Sequence, residues 1–297
     1  MSIDELNVVA VIGAGTMGRG IAQAFAQGGY ATTLYDVDPD AAHRALEAIE
    51  ATLEQGVSRE KVSPEARDAA LERLRVESDL GEAVIDADLA IEAIPELLDA
   101  KREMFAELDS RCPERAILAS NTSSLPIATL AAETARPARV AGLHFFNPVH
   151  AMKLVEIVAP EATGPDVVET LRAAVESLGK RPIVVRDVPG FATSRLGVTL
   201  GLEAIRMVEE EVASPADIDT AMELGYNHPM GPLKLTDLVG LDVRLSIAEH
   251  LARELDERRF APPALLREMV ASGKLGRKSG EGFYLWRDGK PLPREAT

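Results

Sequence analysis

Two ionisable side chains stand at positions where they could transfer protons. His144 directly follows the largely apolar run 139–143, so it lies at the end of a predicted strand, where open α/β sheets bind their ligands. Glu156 interrupts a second apolar run, 154–158, and an acid there is unfavourable unless it is paired or faces water. A histidine oriented by a carboxylate is a general acid or base. The spacing does not show that the two side chains touch, so a structural histidine and a solvent-facing glutamate remain the alternatives.

A glycine pattern near the start of the chain predicts a dinucleotide-binding turn. The β-branched run 8–12 ends in a Gly-x-Gly-x-x-Gly pattern, and a helical apolar pattern follows at once. In this context the glycines permit a tight turn and a close approach of a pyrophosphate, which the first N–H groups of the helix then bind. The predicted cofactor contacts in this turn are Gly13, Gly15, Thr16, Met17 and Gly18. The alternative is a strand–turn–helix of the kind that any α/β protein contains.

Acidic residues after the second predicted strand favour NAD over NADP. Asp36 follows the run 31–35 and can accept hydrogen bonds from the adenosine ribose. Asp38 and Asp40 come next, and the nearest basic residue downstream is Arg44. Three carboxylates would repel a 2′-phosphate, so the sequence predicts NAD as the cofactor. A nicotinamide cofactor transfers hydride, and that chemistry needs a proton donor or acceptor beside the substrate oxygen.

A third polar cluster follows another predicted strand. Residues 120–124 read Ser-Asn-Thr-Ser-Ser and come directly after the strand 116–119, again at the ligand-binding end of the sheet. Hydroxyl and amide groups at this place can bind a nicotinamide or a substrate oxygen. Ser and Thr also begin helices, so a helix cap is the alternative for some members of the run.

The elements that carry these residues predict an α/β fold with an N-terminal Rossmann-type, doubly wound sheet that is mostly parallel. Strands are predicted at 8–12, 31–35, 88–92, 116–119, 139–143, 154–158 and 182–185, and helices at 39–55, 97–108 and 165–178. Residues 56–80 are charged and are interrupted by Pro64, which indicates a second helix or a helical excursion. Later in the chain the apolar spacing becomes helical throughout. The prediction is an NAD-binding domain over 1–186 and an all-helical C-terminal domain over 187–297.

Composition limits the partners and the location. The 297 residues carry a formal net charge of −16, which argues against nucleic acid and anionic membranes as general partners. Cys112 is the only cysteine, so no disulfide can form within the chain, as suits a reducing compartment. Residues 1–5 lack the basic start and apolar core of a signal peptide, and no apolar run is long enough for a membrane span. No metal site is expected from the histidine spacings, and a cytoplasmic protein is expected.

Several segments occur in one order along the chain: Gly13-x-Gly15-x-x-Gly18, Glu92-Ala-Ile-Pro-Glu96, Ser120-Asn-Thr-Ser-Ser124, His144-Phe-Phe-Asn-Pro148, Val155-Glu156, Pro189-Gly-Phe191 and Pro229-Met-Gly-Pro232. Together they resemble the L-3-hydroxyacyl-CoA dehydrogenases, including the bacterial 3-hydroxybutyryl-CoA enzymes. The resemblance covers nearly the whole chain. Its histidine segment and the order of its motifs are far more specific than the glycine turn.

The resemblance implies NAD-dependent oxidation of an (S)-3-hydroxyacyl-CoA to the 3-oxoacyl-CoA, and the reverse, as in fatty acid β-oxidation. His144 would be the general base that takes the proton of the 3-hydroxyl, Glu156 would hold and polarise it, and Ser123 would hydrogen-bond the substrate oxygen. Further residues implied around the cofactor and the active site are Glu96, Lys101 and Asn121, the last near the nicotinamide ribose. Proteins of this kind are usually dimers through the helical domain.

Two further predictions concern the substrate. Where the family commonly has Asn in the segment Pro-Gly-Phe-x-x-Asn-Arg, this chain has Ser194, whose single hydroxyl could reach the substrate through a water. We therefore expect reduced or shifted activity rather than none. Arg59 and Lys61 are candidates for binding the negative charges of CoA, because family members bind CoA near this segment. The alternative for both is a solvated charge cluster.

The sequence is compatible with two other functions. The first is an NAD-dependent dehydrogenase of a free hydroxy acid, such as gulonate or carnitine, whose relatives share the cofactor domain, the histidine and the glutamate. The two phenylalanines after His144 favour the acyl-CoA reaction, whereas Ser194 slightly favours the free acid. The second is a non-catalytic NAD-binding protein, and the presence of His144, Glu156 and Ser123 together argues against it.

Overall fold

The computed structural model describes residues 5–293. Residues 1–4, which form most of the segment behind the signal-peptide prediction, lie outside the described residues, as do residues 294–297. The chain divides into two compact units, Met1–Val188 and Pro189–Thr297. Within residues 5–293, no helix is both long enough and apolar enough to cross a membrane.

An eight-stranded sheet forms the centre of the N-terminal unit. Its strands are β1 (Val8–Ile12), β2 (Ala31–Tyr35), β3 (Leu74–Glu77), β4 (Leu89–Glu92), β5 (Ile117–Ser120), β6 (Val140–Phe145), β7 (Leu154–Ala159) and β8 (Arg181–Arg186). Their spatial order is β3-β2-β1-β4-β5-β6-β7-β8, and the paired strands are parallel except for β6–β7. The strand order reverses between β1 and β4, where such sheets bind ligands at the carboxyl ends of their strands. The prediction of a mostly parallel, doubly wound sheet is confirmed.

Helices of the N-terminal unit begin where the sequence supplies caps. They are α1 (Thr16–Gln27), α2 (Pro39–Ser58), α3 (Pro64–Glu72), α4 (Leu80–Val84), α5 (Leu98–Arg111), α6 (Ile127–Ala131) and α7 (Pro165–Ser177). Asp38 and Ser63 accept hydrogen bonds from N–H groups in the first turns of α2 and α3, and a proline follows each of them. Ile21 and Phe25 of α1 are fully buried in the apolar core that includes residues of β1 and β2.

The segment 56–80 contains a strand that the sequence analysis does not predict. After α3 ends, β3 pairs in parallel with β2 at the edge of the sheet. Only Leu74 of this strand is buried, and the Nε of Arg75 donates a hydrogen bond to Thr33 Oγ1 at 2.8 Å. A four-residue edge strand with alternating charged residues has too little apolar pattern to be recognised from sequence.

Six helices make up most of the C-terminal unit: α8 (Thr193–Glu209), α9 (Pro215–Gly225), α10 (Pro232–Val239), α11 (Leu241–Glu254), α12 (Glu257–Phe260) and α13 (Ala264–Ala271). The unit is helical as predicted, with one correction. It is not all-helical, because β9 (Leu285–Arg287) and β10 (Lys290–Leu292) form an antiparallel pair. Asp288 and Gly289 between them have φ values of 49° and 74°, as a type I′ hairpin turn requires.

Two buried aspartates tie the end of the chain to these helices. Asp219 accepts hydrogen bonds from the backbone N–H of Leu233 at 2.8 Å and from the hydroxyl of Tyr284 at 2.7 Å. Asp237 accepts hydrogen bonds from the backbone N–H of Tyr284 and from the indole N–H of Trp286, at 2.9 and 2.8 Å. Burial raises the pKa of the Asp237 carboxyl. These acids hold α10 and the aromatic tail in place.

Candidate active site

His144 and Glu156 form a buried pair at the carboxyl end of β6. The antiparallel register of β6 and β7 sets the two residues directly opposite each other. The Nδ1 of His144 lies 2.8 Å from Oε2 of Glu156, and the two side chains are 6% and 0% exposed. The structure therefore brings these residues together, and the interpretation of Glu156 as solvent-facing is wrong. A carboxylate only accepts hydrogen bonds, so Nδ1 is the donor in this pair, and the neutral form of His144 then has its lone pair on Nε2.

Asn121 connects the polar run after β5 to the histidine strand. Its Oδ1 accepts a hydrogen bond from the backbone N–H of Phe145 at 2.9 Å, one residue beyond His144. Its own N–H donates to the carbonyl oxygen of Glu92 at 2.9 Å. The side chain is buried, and its amide oxygen fixes the end of β6 relative to the loop after β5.

Glu96 holds the rest of the polar run. Its Oε1 accepts hydrogen bonds from the backbone N–H of Ser123 at 3.1 Å and from the hydroxyls of Thr122 and Ser124. The hydroxyl of Thr122 also accepts from the N–H of Leu125 at 3.0 Å, so this member of the run forms a local turn. Ser123 is held through its backbone and its side chain is partly exposed. The structure thus joins Glu96 and Ser123, which the sequence analysis named separately.

A buried ion pair lies beneath Glu96. The Nζ of Lys101 is 2.9 Å from both carboxylate oxygens of Glu92 and 3.3 Å from Oε2 of Glu96. Lys101 is 1% exposed and Glu92 is fully buried. The hydroxyl of Ser120 also donates a hydrogen bond to Oε1 of Glu92. Sequence reasoning gave no role to Glu92, and it considered Ser120 only as a member of the polar run 120–124. A usable signal was present, because Glu92 is the one acid in the apolar strand β4.

The glycine turn has the shape that a bound pyrophosphate requires. Gly13 has φ +102°, and a Cβ there would lie 2.8 Å from the carbonyl oxygen of Ala93. A Cβ at Gly18 would lie 1.7 Å from the Gly13 carbonyl oxygen, so α1 can pack against the turn only without a side chain. A Cβ at Gly15 would meet no atom within 4 Å. The turn therefore presents open backbone at the start of α1, where N–H groups bind phosphates.

A cavity of about 770 Å³ opens at this turn. Its walls include Gly13, Gly15, Thr16, Met17, Asp36 and Val37. The Oδ2 of Asp36 accepts the backbone N–H of Ala14 at 2.7 Å, so this carboxylate also fixes the turn. The Oδ2 of Asp38 lies 3.1 Å from Nη2 of Arg44. The nearest basic residue that could bind a 2′-phosphate is therefore already paired with a carboxylate. These residues fit the adenosine half of NAD.

The remaining predicted site residues lie elsewhere. Arg59 follows the last residue of α2, and Lys61 lies two residues further along an exposed turn. Lys61 lines a second cavity, of about 360 Å³, together with His150 and Lys180, and Arg59 is not among the described residues of its wall. Ser194 is the second residue of α8, in the C-terminal unit. Among residues 5–293, no three His, Cys, Asp or Glu side chains group as metal ligands.

Comparisons with known proteins agree with this geometry. Residues 8–188 match the model of the 3-hydroxyacyl-CoA dehydrogenase NAD binding domain, and residues 190–286 match that of the C-terminal domain of the same family. The prediction of NAD as cofactor is thereby confirmed.

Three similar proteins cover almost all of the chain. A probable 3-hydroxybutyryl-CoA dehydrogenase of Bacillus subtilis is 46% identical over 94% of this chain and 97% of its own. A 3-hydroxyadipyl-CoA dehydrogenase of Escherichia coli is 45% identical over 95% of this chain and 60% of its own. The crystal structure of (S)-3-hydroxybutyryl-CoA dehydrogenase PaaH1 from Ralstonia eutropha has a TM-score of 0.92, with 38% identity over 96% of this chain and 100% of that one.

Proposed function

The chain belongs to the 3-hydroxyacyl-CoA dehydrogenase family, and from that premise we propose that it oxidises (S)-3-hydroxyacyl-CoA to 3-oxoacyl-CoA with NAD, and catalyses the reverse reaction. The observation that carries the proposal is the buried pair of His144 and Glu156 at the end of β6, fixed next to the loop after β5 by Asn121. A solvent-accessible or unpaired histidine would have no such fixed orientation.

His144 is the proposed catalytic base. Its Nε2 takes the proton of the 3-hydroxyl during oxidation and returns it during reduction, which contributes about 10²–10⁴ in rate for a well-placed group. NAD, when bound, accepts the hydride that leaves C3 of the substrate. Glu156 stabilises the imidazolium that forms, through the 2.8 Å contact to Nδ1. Ser123, whose backbone Glu96 holds, donates its hydroxyl to the substrate oxygen.

Arg59 and Lys61 are proposed to bind the phosphates of CoA, and the proposal is supported by their exposure and by their positions two residues apart just after α2, in a chain of net charge −16. The double variant Arg59→Ala/Lys61→Ala is expected to raise the KM for a CoA ester and to leave the KM for NAD unchanged. A rise in the KM for NAD instead would exclude this role.

Ser194 is proposed to contact the substrate from the first turn of α8. Its hydroxyl is shorter than an amide, so Ser194→Asn is expected to change kcat or KM for the thioester. Identical constants in the variant would show that the side chain has no substrate role.

We also propose a cytoplasmic homodimer that acts in β-oxidation. The C-terminal unit exposes large apolar side chains that a second copy could cover, among them Leu196 of α8, Val239 of α10 and Val243 of α11, at 70%, 42% and 40% exposure. Sedimentation velocity of the purified protein tests the dimer, and a single monomeric species at micromolar concentration would overturn it.

The reaction itself is tested by following NADH absorbance with acetoacetyl-CoA, with free acetoacetate as the parallel substrate. We expect oxidation of NADH with the thioester alone, and loss of at least about 10² in kcat in His144→Ala. His43→Ala is the matched control, because His43 is exposed on α2 and bonds only a backbone carbonyl through its Nδ1. Turnover of free acetoacetate instead of the thioester would favour the hydroxy-acid reaction. Full activity in His144→Ala would overturn the proposed base.

A further inference from the structure

One wall of the cofactor cavity comes from the helix α5. Besides the glycine turn and Asp36, the cavity of about 770 Å³ is lined by Ala100, Glu103, Met104 and Glu107. These four residues have the spacing i, i+3, i+4 and i+7, so they lie on one face of the helix. A ligand that extends from the glycine turn past Asp36 therefore meets this face of α5, in the same N-terminal unit.

Two apolar side chains of this cavity suit the face of an aromatic base. Val37 directly follows Asp36 and is 87% exposed, and Met104 of α5 is half-buried. Asp36 is placed to bind the ribose of adenosine, and the base attached to that ribose has two flat, largely apolar faces. Covering Val37 and Met104 with such a face removes apolar surface from water. The adenine ring is therefore expected to pack against these two side chains.

Two carboxylates stand one turn apart on this face of α5, and they differ in their partners. The Oε2 of Glu107 lies 2.7 Å from Nε of Arg111, so a cation already balances this acid. The side chain of Glu103 is exposed and forms no hydrogen bond or ion pair with any of residues 5–293. A carboxylate only accepts hydrogen bonds, so Glu103 is an unoccupied acceptor on the cavity wall.

The purine of the cofactor supplies a donor that matches this acceptor. Among the described residues that line the cavity there is no Lys, Arg or His, so its walls offer no cation to Glu103. Within a nucleotide, adenine has one N–H donor group, the amino group at position 6, and otherwise presents acceptor nitrogens. Hypoxanthine has a carbonyl oxygen at position 6, which a carboxylate repels. The charge of Glu103 therefore distinguishes these two bases.

We propose that Glu103 selects the adenine base of NAD, by accepting a hydrogen bond from its 6-amino group while Val37 and Met104 contact the ring. Glu107, whose carboxylate is paired with Arg111, does not take part in this selection. The inference goes beyond the proposed function, because it concerns the end of the cofactor that does not react. It holds whichever hydroxy compound the enzyme oxidises.

The test compares the binding of two cofactors that differ only at position 6 of the purine. NADH has an amino group there, and reduced nicotinamide hypoxanthine dinucleotide (deamino-NADH) has a carbonyl oxygen. Isothermal titration calorimetry in the absence of any acyl-CoA gives the Kd of each, so the result does not depend on turnover. The wild-type protein is expected to bind NADH about tenfold more tightly, as a hydrogen bond to a charged acceptor provides.

Glu103→Gln should bring the two Kd values to within about twofold of each other. An amide can turn its oxygen toward the amino group of adenine or its NH₂ toward the oxygen of hypoxanthine, so it accepts both bases. Glu107→Gln is the matched control, because it makes the same change one turn along the same face, and it should keep the wild-type ratio. Both positions are exposed on α5, so both variants are expected to fold.

Equal Kd values for the two cofactors in the wild-type protein would overturn the inference. A ratio that changes in Glu107→Gln and not in Glu103→Gln would also overturn it, because another turn of the helix would then contact the amino group. If Glu103→Gln weakened both cofactors by the same factor, Glu103 would serve the site without selecting the base, and the inference would be wrong. Failure of the wild-type protein to reduce acetoacetyl-CoA would reject the proposed function and leave these Kd ratios unaffected.

Discussion

The two units of the molecule bury carboxylates in different ways. In the N-terminal unit, Glu92 and Glu156 face ionisable side chains, Lys101 at 2.9 Å and His144 at 2.8 Å. In the C-terminal unit, Asp219 and Asp237 are held by backbone N–H groups and by aromatic hydroxyl and indole groups. All four acids are at most 1% exposed, so burial alone does not separate them.

The partners separate the two kinds of acid. A backbone N–H cannot change its charge, so an acid bound to it only fixes the chain, as Asp219 does between α10 and Tyr284. An imidazole can take up a proton, so the acid beside it stabilises a charge that appears during a reaction. Glu92 and Lys101 lie between these cases, because they form a buried ion pair whose lysine also contacts Glu96, the residue that holds the loop after β5. The comparison predicts that substitution of Glu156 will lower kcat, whereas substitution of Asp219 will lower the free energy of unfolding.

The largest expected effect is on the Glu92–Lys101 pair. Lys101→Met leaves the buried Glu92 carboxylate without its cation, and we expect unfolding free energy to fall by about 3–5 kcal/mol in urea denaturation. Glu92→Gln should lower the free energy of unfolding by a similar amount. The double variant should lose less than the sum of the two, because neither charge is then left alone. Strict additivity, or single losses below about 1 kcal/mol, would show that the pair is solvated.

The next effect distinguishes catalysis from architecture. Glu156→Gln keeps an acceptor for Nδ1 of His144 and removes the charge, so kcat for acetoacetyl-CoA reduction should fall by about 10² or more with KM little changed. Steady-state kinetics with NADH measures this. Loss of thermal stability with kcat unchanged would mean that Glu156 serves only the fold.

Asp219→Asn is the matched substitution in the other unit. One oxygen becomes an amide that faces the N–H of Leu233 or Lys234, which now donate at 2.8 and 3.0 Å. We expect a loss of about 1–3 kcal/mol in unfolding free energy, and unchanged kcat in the folded fraction. A hundredfold fall in kcat with native stability would break the distinction between the two units.

Local motifs are what the sequence predicted best. The glycine turn, Asp36 and the start of α1 were predictable because their geometry is set within about 25 consecutive residues. The sequence motifs alone do not determine the pairing of His144 with Glu156, because it depends on the direction of β7. The connection 146–153 is too short for a crossover helix, so an antiparallel β6–β7 pair could have been inferred from its length.

Contacts between distant segments gave no such signal. Lys101 looks like an ordinary helix residue in the sequence, and only the packing of α5 against β4 places its Nζ on Glu92. The same holds for Arg244 of α11, which is 4% exposed and packs against Gly197 and Gly201 of α8, more than forty residues earlier in the chain. In the hairpin, the Asp288–Gly289 turn was a readable signal, but each strand has only three residues.

The smallest expected effect uses the single cysteine to report on one unit alone. Cys112 is 6% exposed in the N-terminal unit, and burial raises its pKa to about 12, so the folded thiol carries little of the reactive thiolate at pH 8. Labelling with a thiol reagent such as DTNB should therefore be slow and limited by opening of that unit. Lys101→Met should speed the labelling, whereas Asp219→Asn should leave its rate within about twofold of the wild type, because Asp219 holds only segments of the C-terminal unit. If both variants labelled Cys112 faster by the same factor, the two units would open together. The buried acids of the two units would then differ only in their effect on kcat.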